Sequence, residues 1–193
     1  AERAASLVLA LGLEQALLED LAPIFGDGTI AWERDRGTGV RFRSPVDLTA
    51  RAVHALLDLR GPLVVNASAC AAGALAVAQA ASLVERGAAD IVVCGGADSM
   101  INPLGLGGMC RLGAPSPRDE LDACRPFDRR RDGLVIGEGA AVFVVEDEAH
   151  ARARGPRPLA RILGWGASQD GFRLTAPRPD GELAARAMTA ALT

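Results

Sequence analysis

Residues 63–96 read LVVNASACAAGALAVAQAASLVERGAADIVVCGG and carry the most regular pattern of this 193-residue chain. The apolar run at Leu63–Ala67 has the length of a strand, and the Ala-rich stretch at 71–86, ended by Gly87, has the length of a helix. A second apolar run at 89–96 ends in two glycines. This order predicts a βαβ unit with parallel strand pairing, and hence an α/β fold class.

Almost all side chains of the helix predicted over 71–86 are small or apolar. A surface helix would show a charged face, so we expect this helix to be buried. Upstream of the βαβ unit, leucines at helical spacing predict a packed amphipathic helix over residues 4–21. Residues 25–44 are Gly-rich and charged, which indicates loops, and residues 46–59 predict a further helix.

Downstream of the unit, residues 97–135 lack a clear period and predict a long irregular connection. Gly139–Glu146 has the composition of a buried strand. Residues 147–154 predict a helix with acids in its first turn and arginines in its last, followed by Gly155. The remaining predicted elements are a strand at 158–166, a loop at 170–181 and a helix at 182–193.

The composition excludes several classes of protein. A hydrophobic share of 49% supports a folded core, which excludes an intrinsically disordered chain. The net charge is −3 and the arginines are scattered among acids, so we expect no nucleic-acid partner. No stretch reaches the roughly 20 apolar residues of a membrane span, so we expect no membrane partner. All 21 basic residues are Arg, which excludes a Schiff-base lysine within this chain.

The four cysteines, Cys70, Cys94, Cys110 and Cys124, lack the close pairs of a zinc site. We therefore predict no metal site. Unpaired cysteines are typical of a reducing compartment, so we expect a cytoplasmic location. Cys94 lies within a predicted strand and should belong to the core, whereas Cys110 and Cys124 should be partly exposed.

Cys70 is the candidate catalytic residue because it lies between a predicted strand and the start of a helix. The first N–H groups of a helix have no partner within the helix, and the helix dipole favours a thiolate at this end. Small neighbours such as Ala69 and Gly73 leave room for a substrate to approach the sulfur. The alternative is that Cys70 is a small buried side chain of an Ala-rich element. Position alone leaves both interpretations open.

A set of short motifs extends over roughly residues 60–177. In order they are NASACAAG at 66–73, AADIVVCGGA at 88–97, CRPFD at 124–128, RDG at 131–133, GEG at 137–139 and EDEAHARARG at 146–155. Their order and spacing resemble the β-ketoacyl-acyl carrier protein synthase family, the condensing enzymes of type II fatty acid and polyketide synthesis. Each motif is weak alone, but the ordered set is specific.

The resemblance implies the thiolase fold, of which this chain would form half of a duplicated layered arrangement around a buried helix. It implies that Cys70 accepts an acyl group from acyl carrier protein, for decarboxylative Claisen condensation with malonyl carrier protein. The backbone N–H of Cys70 would be one donor of the oxyanion hole. No cofactor is implied beyond the phosphopantetheine of the carrier. The resemblance also implies a homodimer, or a heterodimer with a related ketosynthase subunit, paired through the strand at Leu63–Ala67.

The family's two active-site histidines would lie beyond residue 193. The chain has two histidines, His54 and His150, and both fall on predicted helices where a packed or surface role is more common than a catalytic one. Many family members carry a histidine where Arg173 stands, so no polar contact is carried over to that position.

Other motifs have alternative interpretations. The glycines at 105–108 and 137–139 indicate tight turns rather than a phosphate loop, because neither group follows a strand and opens a helix. Glu138 would either orient a loop near the site or pair with an arginine. Arg129–Arg131 is a local basic run that would either attract an acidic carrier protein or lie in a solvated loop beside Asp128 and Asp132.

We therefore expect residues 1–193 to form a single partial domain, with a divergent upstream part at 1–60 and a motif-bearing part at 61–181. The C-terminal half of the fold, with the histidines, is expected to be absent. Two other functions stay open beside the condensing enzyme. One is a non-condensing partner subunit or a truncated relative that lacks the histidines, and the other is a thiolase-like acyltransferase that uses coenzyme A esters.

Overall fold

The structure is a computed structural model that describes residues 4–12, 47–155, 157–173 and 176–193. Within these residues, four strands form one sheet that is accompanied by five α-helices. In chain order the elements are β1 (Ser6–Leu11), α1 (Leu48–Leu56), β2 (Leu63–Asn66), a 3₁₀ turn (Ala69–Ala71), α2 (Ala72–Glu85), β3 (Ile91–Ser99), α3 (Pro103–Arg111), β4 (Glu138–Glu146), α4 (Glu148–Arg154) and α5 (Glu182–Leu192).

The strand order in the sheet is β2-β1-β3-β4. β1 pairs in parallel with β2 on one side and β3 on the other, and β4 runs antiparallel to β3 along its whole length. The predicted α/β class and the predicted strand, helix and strand of residues 63–96 are confirmed. The direct pairing expected between β2 and β3 is wrong, because β1 lies between them.

β1 also corrects the helix predicted over residues 4–21. Both faces of this strand are covered: Val8 and Ala10 pack against α2, whereas Leu7 and Leu9 pack in the cluster that contains Ala50 of α1. All of its residues are buried. A strand buried on both faces is a continuous apolar run, and the leucine spacing of this run fits a helix equally well. The rest of the predicted helix, and the loops predicted over 25–44, lie outside the described residues.

The helix predicted over 71–86 is confirmed as α2, and its buried side faces the sheet. Ala76 and Ala80 of this helix are fully buried with Val92 and Cys94 of β3. Alanines at these positions allow the helix to lie close to the strands. The helix predicted over 46–59 corresponds to α1.

Two predictions downstream of β3 are wrong in part. The connection predicted as irregular contains α3, which begins after Asn102, whose side-chain oxygen accepts a hydrogen bond from the Gly105 N–H at 2.9 Å. The strand predicted as buried is present as β4, but most of its apolar side chains are exposed, whereas Val145 packs against the core cluster. Val142, Phe143 and Val144 are each more than half exposed.

The helix predicted over 147–154 is confirmed as α4. Asp147 caps it by accepting hydrogen bonds from the Ala149 and His150 N–H groups, and Gly155 follows in the left-handed conformation. Residues 158–166 form no strand with any described residue, which corrects the strand predicted there. They lie against α5, since a Cβ on Gly166 would stand 2.1 Å from the Ala187 carbonyl oxygen.

The helix predicted at the end of the chain is confirmed as α5. No helix within the described residues combines the length and the apolar character that crossing a membrane requires.

Candidate active site

A cavity of about 510 Å³ lies where β1 and β3 end and α2 begins. Ligands of open α/β sheets bind outside the carboxyl ends of parallel strands, and ligand pockets have volumes of about 300–1,000 Å³. The cavity therefore has the place and size of a binding site. With one exception its lining residues are small or apolar: Ala10, Leu11, Gly12, Ala69, Cys70, Ala72, Gly73, Gly96, Ala97, Asp98, Met100, Met109, Gly139, Ala140 and Ala141.

Cys70 lies in the 3₁₀ turn between β2 and α2, as the sequence predicts, and its thiol is exposed at the cavity. Among the described residues this exposure does not match the alternative of a small buried side chain. The first-turn N–H groups of α2 lie directly after the turn, where they lack helical carbonyl partners and favour negative charge. Gly73 has open space where a Cβ would stand, so a substrate can approach along this side.

Ala69, the residue before Cys70, has a φ of +51°. The left-handed region costs a residue with a Cβ about 1–2 kcal/mol, and such strain collects at ligand sites and active sites. The strained residue directly precedes the exposed thiol.

Asn66 shapes the same turn and was not singled out in the sequence. Its side-chain oxygen accepts a hydrogen bond from the Ser68 N–H at 2.9 Å, and its amide donates to the Gln79 side-chain oxygen at 3.3 Å. Asn66 is 6% exposed. It links the end of β2 to α2 across the turn that carries Cys70. An asparagine directly after an apolar strand is the signal that points to such a turn.

Asp98 is the one charged residue among those that line the cavity, and sequence reasoning missed it. It lies near the end of β3, beside the end of β1. A Cβ on Gly12 would stand 2.3 Å from a carboxylate oxygen of Asp98, so this carboxylate occupies the space that the glycine leaves open. Nothing in the local sequence pairs Gly12 with Asp98, because the two meet only when β1 and β3 are neighbours.

The other cysteines lie outside the cavity. Cys94 is fully buried within β3, as predicted, and burial raises the pKa of its thiol to about 11. Cys110 and Cys124 are exposed, as predicted. Within the described residues no group of His, Cys, Asp and Glu side chains is arranged to hold a metal ion.

Neither histidine lines the cavity. His54 contacts the Gly61 carbonyl oxygen through Nε2 at 3.1 Å. His150 has its Nδ1 3.4 Å from a carboxylate oxygen of Glu146, which also binds Arg154. Hydrogen bonds from Arg154, with a smaller contribution from His150, hold the pKa of the Glu146 carboxyl below its usual value. Both histidines therefore have structural contacts that fit the roles predicted for them.

The glycine groups are not tight turns, which corrects the sequence prediction. Gly105, Gly107 and Gly108 lie inside α3, and Gly139 lies inside β4. Glu138, the first residue of β4, accepts a hydrogen bond from the Ser99 hydroxyl at 2.7 Å. Among the described residues the structure shows this bond and not the arginine pair that was one of the two alternatives for Glu138.

The basic run at 129–131 lies in an exposed loop. Arg130 pairs with Asp128 at 3.5 Å and Arg131 donates to the Asp128 carbonyl oxygen at 3.0 Å. The backbone N–H and guanidinium of Arg130 hold the pKa of the Asp128 carboxyl below its usual value. The structure records no polar partner for Arg129 among the residues it describes. Further along the chain, the guanidinium of Arg173 lies 5.4 Å from the centre of the Phe172 ring.

Comparison with known proteins agrees with the motifs. A family model described as Beta-ketoacyl synthase, N-terminal domain, matches residues 33–151. 3-Oxoacyl-acyl-carrier-protein synthase 2 of Mycobacterium tuberculosis is 38% identical over 167 residues, which cover 81% of this chain and 40% of that relative. The chain thus spans less than half the length of the curated relatives that it matches.

Solved structures of ketosynthases share the fold. One is a ketosynthase bound to a hexaketide in complex with a type II polyketide synthase acyl carrier protein. It is 26% identical with a TM-score of 0.79, and the match covers 100% of this chain and 48% of that one. The ishigamide ketosynthase/chain length factor is 30% identical with a TM-score of 0.77, and the match covers 100% of this chain and 46% of that one. These likenesses confirm the thiolase-like fold expected from the sequence.

Proposed function

We propose a function from the premise that this chain belongs to the β-ketoacyl synthase family, whose N-terminal domain matches residues 33–151. Cys70 accepts an acyl group from the phosphopantetheine of an acyl carrier protein. The acyl chain then condenses with the carbanion that malonyl carrier protein forms when it loses carbon dioxide. The product is a β-ketoacyl chain on the second carrier.

The acyl transfer forms one bond and breaks one. The Cys70 thiolate attacks the thioester carbonyl, the carbonyl oxygen becomes an oxyanion, and the carrier thiolate leaves as the carbonyl reforms. The backbone N–H of Cys70 would be one donor that stabilises this oxyanion. In the condensation the carbanion attacks the new thioester and Cys70 is released as thiolate. No further cofactor takes part in this proposed sequence.

One observation carries the proposal: the exposed Cys70 thiol opens onto a largely apolar cavity at the start of α2. An apolar cavity suits an aliphatic acyl chain, because burying its methylene groups removes apolar surface from water. Neither His54 nor His150 lines this cavity. The groups that assist decarboxylation would therefore belong to the remainder of a full-length synthase.

The test is acylation of Cys70 in the full-length chain, followed by intact-mass measurement after incubation with an acyl carrier protein thioester. We expect one acyl adduct, which Cys70→Ala abolishes and Cys110→Ala, the matched change at an exposed thiol outside the cavity, leaves in place. An adduct that persists in Cys70→Ala contradicts the proposal. An adduct without a condensation product after malonyl carrier protein is added supports the non-condensing alternative. Faster transfer from coenzyme A esters than from carrier protein supports the thiolase-like alternative.

The carrier protein would dock near the basic loop. The ketosynthase of known structure described above is in complex with an acyl carrier protein. Arg129 is exposed and has no polar partner among the described residues, so we expect its charge to attract an acidic carrier. We expect Arg129→Glu to slow transfer from carrier protein severalfold at low salt. Arg130→Glu should have a smaller effect, because that side chain already pairs with Asp128. Equal losses with a small thioester would exclude docking at this loop.

A two-subunit assembly is proposed through β2. This strand is at the edge of the sheet, so its outer side has no strand partner among the described residues. A ketosynthase paired with a chain length factor is among the similar structures. The second subunit would be a copy of this chain or a related ketosynthase subunit. Sedimentation of the full-length chain as a monomer, both alone and with such a subunit, would contradict this assembly. The cytoplasmic location stays a prediction.

A further inference from the structure

The reaction proposed above gives no role to Glu138, although this residue makes a specific contact at the edge of the cavity beside Cys70. Its carboxylate accepts a hydrogen bond from the Ser99 hydroxyl at 2.7 Å. The two residues are also a cross-strand pair, because Ser99 ends β3 and Glu138 begins β4. The residues that follow them, Met100 and Gly139, both line the cavity. The side-chain bond therefore joins β3 to β4 where both strands reach the cavity.

Ser99 also connects this bond to α3. The side-chain amide of Asn102 donates a hydrogen bond to the Ser99 carbonyl oxygen at 3.2 Å. The side-chain oxygen of Asn102 caps α3 by accepting from the Gly105 N–H at 2.9 Å. A series of hydrogen-bonded residues thus runs from Glu138 through Ser99 and Asn102 to the first turn of α3.

The composition of α3 makes its position depend on that first turn. Three of its nine residues are glycine, and glycine weakens a helix interior because it loses more backbone freedom than any other residue. Against the described residues, α3 is buried at Gly105 alone. There the helix lies close to the preceding backbone, since a Cβ on Gly105 would stand 2.6 Å from the Met100 carbonyl oxygen. The capped first turn is therefore where the described residues hold α3.

The last turn of α3 carries a residue of the cavity. Met109 lines the cavity together with Met100. Met109 follows Gly105 by four residues, so a tilt of about 10° at the first turn would move it by about 1 Å. Such a tilt would change the space beside Cys70 that is open to an acyl chain.

We propose that Glu138 is a positioning residue, which holds α3 through Ser99 and Asn102 so that Met109 stays in the wall of the cavity. The inference rests on the proposed acyl transfer to Cys70, which it deepens by naming the contacts that fix one wall of the acyl site. Glu138 itself is not among the residues that line the cavity. It therefore acts through α3 and not on the acyl chain.

The test compares octanoyl and acetyl N-acetylcysteamine thioesters as acyl donors to Cys70 in the full-length chain, with rates measured by intact mass. An acetyl group needs only the space next to the sulfur, whereas an octanoyl chain extends into the cavity. The octanoyl-to-acetyl ratio of rates therefore reports on the cavity wall. We expect Glu138→Ala to lower this ratio about fivefold, the order of one exposed hydrogen bond, because a displaced wall gives the longer chain fewer contacts.

Two control variants isolate the hydrogen bond. Glu138→Gln retains a side-chain oxygen that accepts from Ser99, so it should keep most of the octanoyl-to-acetyl ratio. Glu85→Ala makes the same change as Glu138→Ala at an exposed position at the end of α2, and it should leave the ratio unchanged.

Ser99→Ala removes the donor of the same bond and keeps the test decisive if Glu138→Ala does not fold. It should lower the octanoyl-to-acetyl ratio by the same factor, and the double variant should lower it no further, because both changes remove one interaction. Hydrogen exchange over residues 103–111 should be faster in both single variants. A lowered ratio without faster exchange would contradict the role of α3.

The outcomes separate this inference from the proposed function. A ratio that is unchanged in both single variants overturns the inference and leaves acyl transfer to Cys70 intact. An equal slowing of both thioesters also overturns it, because Glu138 would then support the fold as a whole. Failure of both thioesters to acylate Cys70 in the unaltered protein would instead overturn the proposed function.

Discussion

The turn that carries Cys70 and the middle of β3, which carries Cys94, contact the same helix but differ in solvent access. Cys94 is fully buried under α2 with Ala76 and Ala80, and burial raises the pKa of its thiol to about 11. Cys70 is exposed at the start of α2. Two identical side chains within one βαβ unit thus differ in solvent access. Their depth relative to the sheet decides which of them can meet a substrate.

The largest expected effect is on thiol reactivity. At pH 7.5 we expect iodoacetamide to alkylate Cys70 at least about a thousandfold faster than Cys94, because the Cys94 thiol is both shielded and protonated. Peptide mass mapping over time measures both rates, with the exposed Cys110 as an internal reference. In denaturant the difference should disappear. If Cys94 in the folded protein were alkylated as fast as Cys110, the expected shielding of Cys94 would be contradicted.

The second prediction compares the packing around Gly95 in β3 with the packing around Gly73, which lies at the cavity. A Cβ on Gly95 would stand 2.1 Å from the Ala141 carbonyl oxygen, so Gly95→Ala should lower the free energy of unfolding by about 3 kcal/mol. Gly73 lies in α2 at the cavity with nothing within 4 Å of its Cβ position, so Gly73→Ala should raise that free energy by about 0.5–1 kcal/mol. Urea denaturation of both variants measures the difference. Similar destabilisation by both would show that the cavity side is packed as tightly as the core.

The third prediction is a pH dependence that we assign to Cys94. Between pH 9 and 11 the unfolded chain loses the Cys94 proton while the folded chain retains it, so the free energy of unfolding should fall, by about 2 kcal/mol in total. The chain has no Lys and no Tyr, so few other side chains titrate in this range. Denaturation at pH 8, 9, 10 and 11 measures the slope.

Cys94→Ala is the matched variant for this slope. The free energy of unfolding of Cys94→Ala should change less with pH above pH 9. Cys110→Ala should keep the pH dependence of the unaltered protein. A slope that survives in Cys94→Ala would assign it to another group.

The smallest expected effect is on the Cys70 turn. Asn66→Ala removes the acceptor of the Ser68 N–H and should slow Cys70 acylation about tenfold, with a loss of stability of about 1 kcal/mol. Asn66→Asp keeps that acceptor and should retain most of the rate, although it loses the donor to Gln79. Acylation rates with a small thioester separate the two variants. Equal rates in both would mean that the Ser68 hydrogen bond does not position the thiol.

Much of the region around Cys70 was predictable because its signals are local. The strand-length run at Leu63–Ala67, the Ala-rich helix after Cys70 and the helix at 147–154 each depend on residues close together in the chain. The family motifs are local as well. Predictions failed where the environment was decided by distant residues: β1 has the leucine spacing of a helix, and β4 has the composition of a buried strand although most of its side chains are exposed.

The sequence by itself determined the class of fold, the family and the place of Cys70 between strand and helix. Only the tertiary structure decided which residues share the cavity with that thiol. Gly12 and Asp98 meet because β1 lies between β2 and β3, and strand order depends on contacts between segments that are far apart in the chain. Local propensity carries no information on such contacts, so the position of the Asp98 charge at the cavity could not be predicted from the sequence.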